Sequence, residues 1–245
     1  MKYLVIDFGN TNKKLAIFDG KKLLTMAQFP SVSVALLREF TAIHREIDYG
    51  ILSTVAPYPD AIRQFLSKNY RLYELDEHTP LPIINRYRTK TTLGKDRLAA
   101  AVAGASRFPG KNVLVINAGT CITYDFVNDR NEYLGGAISP GLVMRFNALH
   151  TFTGKLPLVS FRNAMILTGK NTEDSILAGV LTGAMAEIEG IADRYRQKYQ
   201  DLQLLLSGGD YKYFDKRLKI SIFALPNIVI HGLQQILEFN VNKAK

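Results

Sequence analysis

Two copies of one short pattern carry the residues best suited to chemistry. Val5-Ile6-Asp7-Phe8-Gly9-Asn10-Thr11 lies near the N-terminus, and Val115-Ile116-Asn117-Ala118-Gly119-Thr120-Cys121 repeats it mid-chain. Each is an apolar run, an Asp or Asn, one residue, a glycine and a small polar residue. A buried strand that ends in a carboxylate and then turns through glycine, leaving N–H groups free, suits a phosphate chain and its cation. Asp7 could hold hydrated Mg²⁺ beside phosphates. Asn10 and Thr11 could donate hydrogen bonds, and Lys14 offers a point charge. One copy alone reads equally as a hairpin turn with an aspartate cap. The repetition, with a third glycine loop at Ser207-Gly208-Gly209-Asp210, favours nucleotide binding. Neither a GxxxxGK[ST] nor a GxGxxG loop is present, which argues against P-loop and dinucleotide folds.

A second set is Leu93-Gly94-Lys95-Asp96-Arg97, which opens an alanine-rich helix. A carboxylate in a first helical turn stays ionised because the helix N-terminus favours negative charge. Asp96 could therefore accept a proton from an alcohol, with Arg97 orienting an anion; the alternative is an ordinary first-turn acid beside a surface arginine. Thr172 divides the same way, as helix N-cap or as ligand contact. Cys121 sits in the second glycine turn and reads as a small packing residue. The four histidines show no metal-ligand spacing, and no Ser/His/Asp set is identifiable.

These residues need strands to carry the turns and helices to cover the strands. Lys2–Asp7, Lys13–Asp19 and Lys22–Gln28 read as a strand meander, the last two joined by an Asp-Gly turn. The spacing predicts helices over Ser33–Ile47, Asp60–Asn69, Lys95 to about Pro109, Leu142–Leu149, Glu173–Tyr199 and Asn227–Glu238. Strands are expected at Tyr49–Ser53, Tyr70–Leu75, Tyr133–Ile138 and Leu202–Leu206. Thr79–Arg88 is expected to be extended, and Gly135–Gly141 to be a loop. Gly179 and Gly183 on the long helix, and Gly232 in the last, read as sites of close packing. The repeated hairpin implies two related α/β halves, 1–111 and 112–245, with the last helix returning onto the first.

Net charge is +9, from 31 basic and 22 acidic residues. That balance suits anionic small molecules. The basic residues are scattered and lack a nucleic-acid module, so nucleic acid is not an expected partner. No run approaches a membrane span, the chain enters strand pattern at once with no signal peptide expected, and a lone cysteine suits a reducing cytoplasm.

Taken in order, these motifs resemble the type III pantothenate kinases of the acetate kinase/sugar kinase/Hsp70/actin superfamily. Asp7–Lys14 is similar to their first phosphate motif, and Tyr87 with Gly94–Arg97 to their substrate motif. Asn117-Ala118-Gly119-Thr120 matches the second phosphate motif apart from its first residue. Gly136–Gly141 with Leu149, Thr153 and Leu156-Pro157, then Thr172 with Gly179, Gly208-Gly209-Asp210 and His231-Gly232-Leu233, complete the series. The resemblance implies two duplicated ribonuclease H-like (actin-like ATPase) domains with a cleft between them. It implies ATP-dependent phosphorylation of pantothenate to 4′-phosphopantothenate in coenzyme A synthesis. Asp7, Phe8, Gly9, Asn10, Thr11, Asn12, Lys13, Lys14 and Thr120 would bind ATP. Tyr87, Gly94, Lys95, Asp96, Arg97 and Thr172 would contact pantothenate, and Asp96 would be the general base. It further implies Mg²⁺ with ATP, held by Asp7 through water, a cytoplasmic homodimer, and a monovalent cation (K⁺ or NH₄⁺) where this chain has Asn117 in place of the usual aspartate. An amide oxygen is a weaker cation ligand than a carboxylate. Lys90 likewise stands where proline is common. The rival expectations are a kinase of another small alcohol or sugar, and a non-catalytic nucleotide-binding regulator.

Overall fold

A computed structural model describes every residue of the chain except Asn10, Arg45, Ala56 and Lys245. The chain forms two compact units, Met1–Arg107 with Ile228–Lys245, and Phe108–Asn227.

The first unit contains β1 (Lys2–Phe8), β2 (Lys13–Asp19), β3 (Lys22–Phe29), α1 (Val34–Ala42), β4 (Ile47–Thr54), α2 (Asp60–Asn69), β5 (Arg71–Glu74), the two-residue β6 (Ile84–Asn85), α3 (Lys95–Arg107) and α7 (Ile228–Lys243). Five strands lie in the order β3-β2-β1-β4-β5. β1 to β3 form the antiparallel meander, and β4 and β5 add in parallel on the other side. The central β1 is buried from Tyr3 to Phe8, so its sequence is an unbroken apolar run rather than an alternating one. On one face Leu4, Ile6, Leu15, Ile17 and Leu52 pack on Leu37 and Phe40 of α1 and Ile62 and Leu66 of α2. α3 and α7 pack against each other. Their crossing is close because Gly232 has no side chain: a Cβ there would lie 1.8 Å from the Ala99 carbonyl oxygen. Gln234 and Asn240 of α7 donate to the carbonyls of Gly20 and Pro80.

The second unit holds β7 (Val113–Ala118), β8 (Cys121–Val127), β9 (Glu132–Pro140), α4 (Leu142–Thr151), α5 (Thr172–Lys198), β10 (Gln203–Ser207), α6 (Tyr211–Phe214) and β11 (Phe223–Ala224). Its strands run β11-β10-β7-β8-β9, again an antiparallel meander with two parallel strands beside its first member. The topology of the first sheet is thus repeated. Leu177, Leu181, Ala184 and Ile188 of α5 bury against Ile116, Tyr124 and Leu206.

Four expectations need correction. α1 stops at Ala42 rather than near Ile47; Ile43 keeps the helical spacing but is 60 % exposed, and Ile47 starts β4. The strand expected at Tyr133–Ile138 forms, but it runs on to Pro140 through the residues also expected to be a loop. Gly136 fits the strand because its backbone crowds β8, where a Cβ would lie 1.5 Å from the Tyr124 carbonyl oxygen. Gly179 and Gly183 have open space where a side chain would be, so neither serves packing within the described chain. Finally, α5 is long and apolar enough to cross a membrane by length and composition alone; its buried face is used in the unit's own core.

Candidate active site

The site residues of the first unit gather where β1 ends. Registration of the strands sets Lys14 of β2 and Ser53 of β4 on either side of Asp7. Asp7 is 9 % exposed. Burial raises its carboxyl from an ordinary 3.8 to about 6 against the pull of Lys14; the charge of Asp96 adds to the rise, while Ser53 and Lys13 oppose it. The two carboxylates therefore sense each other, although 89 positions separate them in sequence. Lys13 donates its Nζ to the Gly9 carbonyl at 2.5 Å and closes the turn. Thr11 is exposed, and Gly9, Asn12, Lys13 and Lys14 are half-buried. The Phe8 ring belongs to the core, edge-on to Tyr58, so this candidate can offer a ligand only backbone. Asn10 lies outside the described residues.

Asp96 sits in the first turn of α3. Its Oδ1 accepts from the Arg97 amide at 2.9 Å. Gly94 makes room for that arrangement, because a Cβ there would lie 2.6 Å from Oδ1. Arg97 is buried, not a surface arginine. Its guanidinium lies 5.8 Å from the centroid of the Tyr87 ring, a cation–π contact that fixes the planar donor fork. The Tyr87 amide is itself held by Asn85 Oδ1 at 2.9 Å. Lys95 is half-buried beside them. Asp7, Asp96, Arg97 and Tyr87 thus form one polar set in the first unit, two carboxylates that sense each other and a buried guanidinium beside a tyrosine ring.

The second unit repeats the geometry with different chemistry. Asn117 at the end of β7 lies in register with Thr123 of β8 and Ser207 of β10. The Thr123 Oγ1 is buried and has no hydrogen-bond partner among the described residues. Three bare-backbone segments meet at this strand end. Gly208, at φ 100°, would place a Cβ 1.9 Å from the Ala118 carbonyl oxygen, and Gly141 would place one 2.0 Å from that of Gly119. The Gly141 amide donates to the Thr120 carbonyl and the Asp210 amide to that of Ala118. The exposed Thr120 is held on this scaffold. Thr172 stands elsewhere in the unit, in a hollow with Lys155, Arg162, Asn171, Glu173 and Asp174. It is not the N-cap of α5. Asn171 is, accepting from the Asp174 amide, and Thr172 follows it exposed.

Among the described residues no three His, Cys, Asp or Glu side chains form a metal-ligand set. A hydrated Mg²⁺ brought by a triphosphate needs only one protein carboxylate. Asp7, buried and raised in spite of Lys14 beside it, fits that role. Asn117 with Thr123 and Ser207 offers neutral oxygens only.

Sequence reasoning passed over Ser53 and Thr123. Both are strand-register partners of the motif residues, and aligning the two halves would have found them: Ser53 corresponds to Ser207, and Thr123 to Lys14.

Comparison with known proteins fits this geometry. The family model for type III pantothenate kinase matches residues 3–194. The type III pantothenate kinase of Christiangramia forsetii is 45 % identical over 242 residues, covering 97 % of this chain and 98 % of its own. Among solved structures, the activator of 2-hydroxyisocaproyl-CoA dehydratase from Clostridium difficile with bound ADPNP aligns at a TM-score of 0.56 and 12 % identity, covering 100 % of this chain and 96 % of that one. Glucokinase from an Antarctic psychrotroph aligns at 0.53 and 13 %, covering 97 % and 99 %. These likenesses place the two-sheet architecture among the actin-like ATPase and sugar kinase folds. With the matched span running through both glycine turns, the Asp96 helix and most of α5, the chain belongs to the type III pantothenate kinase family.

Proposed function

We propose that this protein transfers the γ-phosphoryl group of ATP to the primary hydroxyl of pantothenate. The observation that carries the reading is the Asp7–Asp96 pair inside a chain that matches the family through both phosphate motifs. Phosphoryl transfer asks for positioning and charge neutralisation rather than covalent catalysis. The turn from Gly9 to Lys14 and the Gly119–Thr120 turn present backbone N–H groups, hydroxyls and lysines to phosphates. Asp7 holds the hydrated Mg²⁺, which when bound neutralises charge on the phosphate oxygens. Arg97, steadied by Tyr87, takes the pantothenate carboxylate or an amide oxygen, with Lys95 and the Gly94 backbone alongside and Thr172 as a further contact. Asp96 accepts the hydroxyl proton as that oxygen bonds to phosphorus and the bond to ADP breaks.

On this reading the monovalent-cation requirement is weak, because Asn117, Thr123 and Ser207 bring no charge to the strand end where the family has a carboxylate. The protein is a cytoplasmic homodimer. Support for self-association comes from Ile138, Val143, Phe152, Met165 and Leu167, all more than half exposed on the second unit. Light scattering of the purified protein gives the oligomeric state directly.

The deciding assay couples ADP release to a readout with and without pantothenate, in K⁺ and in Na⁺, with mass detection of 4′-phosphopantothenate. Pantothenate-dependent turnover supports the reading. Turnover on a sugar alone, or ATP binding with no phosphorylated product, removes it.

A further inference from the structure

Glu187 lies in the middle of α5, half-buried, and no step above uses it. Its carboxylate is nonetheless the hub of a polar cluster. Tyr124 of β8 donates its hydroxyl to Oε1 at 2.8 Å. Ser139 of β9 donates to Oε2 at 3.0 Å, and Arg145 of α4 forms an ion pair with the same oxygen. Arg145 also donates to Ser139 Oγ at 2.8 Å and, through Nε, to the Pro140 carbonyl at 2.8 Å. Burial opposes the charge on Glu187, but Arg145, Tyr124 and Ser139 outweigh it and hold the carboxyl below its usual range. The cluster thus ties the last two residues of β9 to α5 and α4.

The next residue is Gly141, the one that seats on the phosphate turn. Its amide donates to the Thr120 carbonyl, and its bare Cα packs where any side chain would strike Gly119 and Thr120. We infer that Glu187 is a positioning residue for the Gly119–Thr120 turn, acting through Arg145 and the Ser139–Gly141 backbone. The inference rests on the reading above for what that turn binds. A charged acceptor shared by several donors is suited to hold a loop in place. Charge-assisted hydrogen bonds are short and directional, and three donors on one carboxylate leave it little freedom.

The test uses the full-length enzyme and two readouts, steady-state kinetics and calorimetric binding of a non-hydrolysable ATP analogue with Mg²⁺. Glu187→Gln keeps the size and one acceptor oxygen but loses the ion pair. We expect its KM for ATP and the analogue Kd to rise about tenfold, the cost of a small misplacement at a binding loop, with KM for pantothenate changed less than about twofold. Glu187→Asp should fall between wild type and Gln. Arg145→Met should match Glu187→Gln, and the double variant should be little worse than either, because both act along one connection. A folded Glu187→Gln with unchanged KM for ATP and unchanged analogue Kd overturns the inference, as does an equal rise for both substrates. If Glu187→Leu fails to fold, the Gln and Asp variants still decide. Should the wild type bind the analogue but not phosphorylate pantothenate, the functional reading fails while the calorimetric comparison still judges Glu187.

Discussion

Asp7 and Asn117 occupy the same place in two copies of one topology, yet they stand in opposite electrical surroundings. Each is the last residue but one of its strand, β1 or β7, and each is flanked by a serine from the parallel neighbour, Ser53 or Ser207. From the antiparallel neighbour the first receives Lys14 and the second Thr123. The first strand end is therefore a buried carboxylate and an ammonium, the second an amide and a hydroxyl. Duplication fixes where a ligand can be met, and the charge at each copy decides what is met there. The charged end suits a cation and the phosphates around it. The neutral end suits backbone dipoles, which need no counter-ion and are insensitive to pH.

That contrast can be broken most sharply through Asp96, the second charge that the Asp7 end feels. Asp96→Asn should lower kcat by about 10²–10⁴, the span of a general base, with both KM values nearly unchanged. Near-normal turnover would remove Asp96 from the chemistry. Next comes Asp7→Asn, which makes the first strand end resemble the second. It should cost about 10²–10³ in kcat, the range for losing one preorganised electrostatic partner, and the loss should shrink as Mg²⁺ is raised. A variant whose magnesium dependence matches wild type would show that the carboxylate is not the metal's partner. The reverse exchange, Asn117→Asp, should change activity least. It should raise the ratio of activity in K⁺ to that in Na⁺ severalfold, because it adds the charge that the neutral oxygens lack. An unchanged ratio would mean that this strand end holds no cation.

How much of this is legible in the sequence depends on whether the signal is local. α2 is readable because Pro59 precedes it and its charges suit its ends, Asp60 first and Lys68 last. The meander strands are readable from apolar runs broken by Gly9 and Asp19-Gly20. The end of α1 is not, because Ile43 continues the spacing and only the fold shows that nothing covers it. The start of β9 is readable at Tyr133–Ile138, but its glycine-rich continuation reads wrongly as a loop because glycine usually breaks a strand, and only the close approach of the Tyr124 backbone explains Gly136. In the site, the motif residues themselves are visible, but their partners are not. The burial of Arg97 depends on Tyr87 and on the packing of α3. The register mates Ser53 and Thr123 become obvious only when the two halves are superposed. Glu187 lies 63 residues from Tyr124 and 42 from Arg145, beyond any local pattern.

The smallest effect concerns stability, and it separates the two strand ends without any catalysis. Asp7 titrates higher in the fold than in the unfolded chain, so the folded state binds the proton more tightly. Its stabilising contribution is complete below the unfolded value near 3.8 and is lost as pH rises through about 6. At about 1.4 kcal/mol per pH unit, the difference amounts to roughly 3 kcal/mol at neutral pH, an upper bound since nearby water and side chains relax. Without magnesium or nucleotide, Asp7→Asn should therefore raise Tm at pH 7.5 by several degrees and change it little at pH 4. Asn117→Asp, placing a carboxylate at the other end without a lysine in register, should lower Tm at pH 7.5 and leave it nearly unaltered at pH 4. Thermal unfolding of the three proteins at the two pH values measures both shifts. If Asp7→Asn is destabilising at pH 7.5, Lys14 compensates the buried charge, and the first strand end is an ion pair in its own right rather than a carboxylate awaiting its metal.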